Sequence, residues 1–143
     1  MILANRVVEV ALQCGIPRQF IDTTDESYLL VDEDYVTGPF ARWFATTLSK
    51  LGVRYKNNAL DCENFGELAR ALMMLRHGLQ NDTEDGLAIG WIEYVTEDWY
   101  KHNEFCAITR QRPDVVSVFE TQLKMKPTSL TPDRFKLCKA FRM

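Results

Sequence analysis

An α+β fold, with N-terminal helices packed on an antiparallel sheet, is what the sequence predicts. Two observations predict it. Residues 2–78 carry apolar side chains at helical spacing, whereas residues 87–119 turn to short β-branched and aromatic runs. The order is helices first and strands second, with no internal repeat or low-complexity tract. The chain has 143 residues, 46% hydrophobic and 26% charged. A chain of that length removes roughly 70% of its unfolded surface from water, enough for one core. One domain is expected: a helical part over 1–52, a core over 53–123 and a C-terminal extension over 124–143.

The elements follow in order. Val7, Val8, Val10, Ala11 and Leu12 make a helix over 2–13, stopped by Gly15 and Pro17. Tyr28 to Val31 is a short apolar run, read as a single strand or a docking segment, inside an acidic stretch from Asp22 to Asp34. That stretch lacks the glycine and terminal glutamate of a calcium loop, so it reads as solvated surface. After Gly38-Pro39, Phe40, Trp43, Phe44, Thr47 and Leu48 give a second helix that ends near Gly52. Asp61 caps a third, with Phe65, Leu68, Ala69, Leu72, Met73 and Leu75 as its buried stripe, lasting until Gly78. Three strands follow in LAIGWIEYV, FCAIT and VVSVF. Thr131-Pro132-Asp133 opens a short closing helix carrying Phe135, Leu137, Cys138 and Phe141.

Composition excludes several classes. Twenty acids against 17 bases give a net charge of -3 and no basic stripe, which argues against nucleic acid as a partner. No apolar run approaches the roughly 20 residues that span a bilayer, and MILANRVVEVALQCG lacks a basic start and a cleavage site. No membrane association and a cytoplasmic location are therefore expected. Cys14, Cys62, Cys106 and Cys138 show no CxxC or CxxH spacing, so no metal is expected, and they are read as thiols. No glycine-rich nucleotide loop is present, and the expected cofactor is none.

One cysteine is placed for chemistry. Cys62 falls in the first turn of the third helix, where the helix dipole and unpaired N–H groups favour a thiolate. A thiolate nucleophile needs a histidine partner. His77 sits fifteen residues along the same helix, more than 20 Å away at 1.5 Å per residue, so His102 is the candidate, in the turn before the second strand. Glu120, at the end of the third strand, is the candidate acid that orients the ring, with Asp114 as the alternative. Asn57, Asn58 and Gln122 are candidate oxyanion or orienting amides. Taken singly, Cys62 reads as a core cysteine and His102 as a surface histidine; only their combination points to a site. Trp91, Tyr94, Trp99 and Tyr100 read as packing aromatics.

The run Asp61-Cys62-Glu63-Asn64-Phe65-Gly66 followed by ELARALMML, then Ala88-Ile89-Gly90, His102 before a strand and Glu120 in FETQ, resembles the papain-like core of transglutaminase-like cysteine proteases and their small bacterial and phage relatives. The resemblance covers about residues 53–123. It implies a papain-like core and a small cysteine hydrolase or acyltransferase that acts on a peptide or protein amide through Cys62, His102 and Glu120. The alternative it implies is a silent papain-like scaffold acting as a phage or mobile-element protein-binding module. Fold alone does not separate these.

Overall fold

The computed structural model describes residues 1–54, 61–81, 85–96, 99–128 and 130–143. Its elements are, in order, β1 (Ile2–Leu3), α1 (Ala4–Cys14), β2 (Ile21–Asp22), β3 (Ser27–Leu29), α2 (Glu33–Tyr35), α3 (Ala41–Lys50), α4 (Cys62–Gln80), β4 (Gly86–Leu87), β5 (Ile89–Val95), β6 (Lys101–Ala107), β7 (Ser117–Glu120), β8 (Lys126–Thr128), α5 (Pro132–Lys136) and β9 (Cys138–Arg142). A six-stranded sheet has the order β2-β9-β5-β6-β7-β8, and β1-β3-β4 form a small second sheet. All pairs in the larger sheet are antiparallel except β2 with β9. The α+β class expected from the sequence is therefore present. No helix among the described residues is long and apolar enough to cross a membrane.

Alternation along the strands sends side chains to two cores. Ile92, Cys106, Val118 and Phe141 face one cluster, closed by Val7, Val10 and Ala11 of α1 and Phe135 of α5. Ile89, Phe105, Ala107 and Phe119 face the other, closed by Phe40, Phe44 and Leu48 and by Phe65, Ala69 and Met73 of α4. Period-two alternation makes this possible, since Phe105 and Cys106 are neighbours in sequence yet belong to opposite cores.

Beside the short strands β1, β2 and β8, which the sequence reading did not contain, three further departures bear on the site. Helix α4 does not stop at Gly78, beside which there is open space, but runs to Gln80. Asn81 ends it, its N–H and its amide both donating to His77 O at 2.9 and 3.0 Å. The closing helix is only one turn long, capped by Thr131. Cys138 and Phe141 lie beyond it on β9, which inserts between β2 and β5. Cys138 and Phe141 are buried on this strand while Lys139 and Arg142 are exposed. Finally, β6 begins at Lys101, so His102 lies inside a strand opposite Tyr94 rather than in a turn.

Candidate functional site

The site forms where the first turn of α4 meets the start of β6. Asp61 precedes α4 in extended backbone, and Asn64 Oδ1 accepts the Asp61 N–H at 3.2 Å, which fixes the direction in which the helix begins. Cys62 is therefore the first helical residue. Its Sγ lies 3.9 Å from Lys101 O and hydrogen-bonds to the His102 ring. Helix and strand can come this close because residue 66 is glycine, where a Cβ would overlap Asn103 Oδ1.

His102 is held from both sides. Its Nε2 stands 3.1 Å from Glu120 Oε2 and 3.9 Å from Glu104 Oε1. Tyr94, opposite on β5, meets the imidazole edge-on with centroids 5.5 Å apart. The hydrogen bonds to Cys62 and Glu120 push the His102 pKa up to about 10, with the two nearby carboxylates adding to the effect and burial opposing it. The ring is an imidazolium at neutral pH. Glu120 is correspondingly held below the ordinary carboxylate range, first by its bond to His102 and then by the Gln122 backbone N–H, which donates to Oε1 at 3.1 Å. The junction thus sets a sulfur, an imidazole and a carboxylate in one row, the groups that nucleophilic cysteine chemistry uses.

Cys62, His102 and Glu120, chosen from sequence, are thus brought together. Asp114 is not: it is exposed and pairs with Arg6. Gln122 takes part through its backbone rather than its amide. Asn57 and Asn58 lie outside the described residues. The other thiols belong to the cores. Burial raises the Cys14 and Cys106 thiols and pushes Cys138 up to about 12. Of the aromatics, Tyr94 is packed against the site as expected, whereas Trp99 and Tyr100, at the turn just before His102, are exposed.

Glu104 is the residue sequence reasoning missed. It is buried, and its oxygens accept from Tyr94 Oη and Thr128 Oγ1, both at 2.8 Å. The available signal was its position two residues after His102, on the same strand face. His102, Glu104 and Glu120 offer donor atoms within 4.8 Å of one another, a spacing that a divalent cation accepts. Both oxygens of each carboxylate already accept hydrogen bonds from the protein, so the cluster is satisfied internally.

Fold and site together define a small α+β module with a thiol–imidazolium pair at the end of its main sheet. No family model and no curated protein matches the chain. Among solved structures, the fold is shared with Polyporus squamosus lectin bound to the human-type influenza-binding epitope Neu5Acα2-6Galβ1-4GlcNAc. The TM-score is 0.76 and the identity 14%, covering 97% of this chain and 48% of that one. A second structure, a PSL1a-E64 complex, matches with TM-score 0.76 and 15% identity over 99% of this chain and 50% of that one. The chain therefore spans about half the length of the structures it matches, and identity this low shows the fold alone.

These neighbours correct the resemblance drawn from sequence. The fold is shared with about half of a lectin structure, and neither of these two structures is described as papain-like or transglutaminase-like. The expectations that hung on that resemblance go with it: the thiol protease or transglutaminase-like hydrolase, its silent phage or mobile-element counterpart, and the peptide or protein partner. The physical reason is that a capped helix, a strand histidine and a strand-end acid are local features. They recur wherever a helix meets a sheet end and do not specify a family.

Proposed function

We propose that this chain is a ligand-binding module that uses Cys62 as a nucleophile toward an electrophilic carbon, with His102 as proton donor and Glu120 as the group that orients it. The observation that supports this is the continuous chain from the Cys62 thiol through the His102 ring to Glu120 Oε2. In the step it provides, the sulfur, whose proton has passed to the His102 ring, bonds to the carbon as the carbon–oxygen bond of an epoxide breaks, and the released alkoxide takes that proton from His102. An epoxysuccinate is the natural probe of that step. Intact-mass and peptide spectra are expected to show one adduct per chain, at Cys62, lost in His102→Ala. Equal labelling of Cys14 and Cys62, or indifference to His102, would overturn the reading.

A second reading, that the module binds a carbohydrate, is favoured by one specific feature. Trp99 and Tyr100 are 87% and 74% exposed at the same sheet end as His102, and Trp99 is held outward by a left-handed backbone at φ 63°. Exposed aromatic pairs of this kind offer an apolar face to a ligand. The glycan Neu5Acα2-6Galβ1-4GlcNAc, bound by one neighbour, is the first ligand to titrate. Binding that Trp99→Ala abolishes supports this reading, and binding that it leaves intact removes the aromatic pair from it.

A further inference from the structure

We propose that Glu104 is a second positioning carboxylate for His102, built into the sheet behind Glu120. The proposal rests on reading Cys62 and His102 as a working pair, but is tested separately from it.

Three strands converge on this side chain. Tyr94 Oη from β5 and Thr128 Oγ1 from β8 donate to its two oxygens at 2.8 Å, and it stands on β6 two residues from His102, on the same face. The residue is 1% exposed. An apolar side chain would fill such a position without the cost of burying a carboxylate. What the carboxylate adds is a fixed negative charge 3.9 Å from His102 Nε2. Glu120, closer at 3.1 Å, is more exposed, and its oxygens accept from the His102 ring and the Gln122 backbone N–H. Glu104 by contrast is immobilised by two protein hydroxyls. The imidazole therefore has a near acceptor at the surface and a rigid one beneath it. Both favour the charged ring and hold Nε2 on the side of the sheet where the two carboxylates stand.

Glu104 acts through His102 and does not touch the sulfur. The titratable groups facing it are His102 on its own strand, Tyr94 from β5 and Glu120 from β7, with Cys106 further along β6 and Arg134 of α5 toward Tyr94. Burial raises the Glu104 carboxyl above the ordinary range, while Glu120 is held below it. As pH falls, Glu104 loses its charge first.

The test is an NMR titration of the His102 ring, together with the pH profile of iodoacetamide labelling at Cys62, in the full chain. Glu104→Gln keeps the shape and removes the charge. The expected result is a His102 proton lost about one pH unit lower, a tenfold change in its ionisation, with the alkaline limb of labelling moving likewise. Glu104→Asp is expected to restore part of the shift. A titration superimposable on wild type would overturn the proposal, leaving Glu104 as packing alone. If Glu104→Gln does not fold, Thr128→Val removes one hydroxyl that fixes the carboxylate, and the same His102 shift decides. Labelling of Cys62 that ignores His102 in the wild type sinks the reading of the thiol pair. The His102 titration still decides the role of Glu104 in that case.

Discussion

Gly66 of α4 and Asn103 of β6 share one volume: the space a Cβ would take at residue 66 is filled by Asn103 Oδ1. This contact sets how near the helix lies to the strand, and so how near Cys62 lies to His102. Gly66→Ala is expected to cost about 1–3 kcal/mol by overpacking, read as a lower urea midpoint, and to slow labelling of Cys62. Asn103→Ala added to it is expected to recover most of both. Asn103 Oδ1 has no hydrogen-bond partner among the described residues, so its removal leaves no donor stranded. Additive effects of the two substitutions would show that the glycine is there for another reason.

The pH dependence of stability follows from His102. Its folded pKa, about 10, is raised above the ordinary 6.5. The stabilisation it contributes is therefore complete below about pH 6.5 and is lost as pH rises through 10. Glu120 works the other way: its depressed pKa contributes above the ordinary carboxylate value and fades in acid. Urea midpoints are expected to fall between pH 7 and 10 in the wild type and to fall less in His102→Ala. Parallel curves for the two proteins would contradict the charge assigned to the ring.

The two acids considered as partners of His102 should separate cleanly. Glu120→Gln is expected to lower the pH at which His102 loses its proton by about one unit and to slow Cys62 labelling, because the ring loses the carboxylate that orients it. Asp114→Asn is expected to leave the labelling unchanged, since Asp114 pairs with Arg6 at the surface. A slowed Asp114 variant would return that residue to the site.

The corner after Glu120 carries strain. Lys124 and Met125 both adopt left-handed backbone, at φ 56° and 58°, although neither is glycine. Lys124→Gly is expected to be stabilising by about 0.5–1 kcal/mol, because glycine adopts that conformation without a Cβ clash. Thermal unfolding measures it, and a lower midpoint would show that the Lys124 side chain contributes more than its backbone costs.

How much of this was legible in the sequence depends on whether a feature is local. Helix α4 was readable because its stripe and its cap lie within a few residues of one another, and Glu120 because a strand end is a short-range feature. Glu104 was passed over as a polar residue in a turn-like HNE. Its partners Tyr94 and Thr128 come from strands that only the sheet brings beside it. The same blindness turned β9 into helix, for Cys138 and Phe141 are buried by strands far back in the chain. Family, too, lay beyond the motif: a cysteine at a helix start and a histidine on a strand describe a junction, and the fold around that junction is shared with about half of a lectin structure.

The insertion of β9 between β2 and β5 has a consequence for synthesis. Strand β5 leaves the ribosome with β6 soon after it, yet its other edge stays unpaired until residues 138–142 emerge. Until then the nascent chain presents an open strand edge, a template for pairing with other chains. Tyr94, which holds Glu104 behind His102, stands on that same strand. His102 therefore stays without its full surroundings until residues 138–142 have paired with β5, and a chain stalled before residue 138 carries Cys62 outside the completed junction.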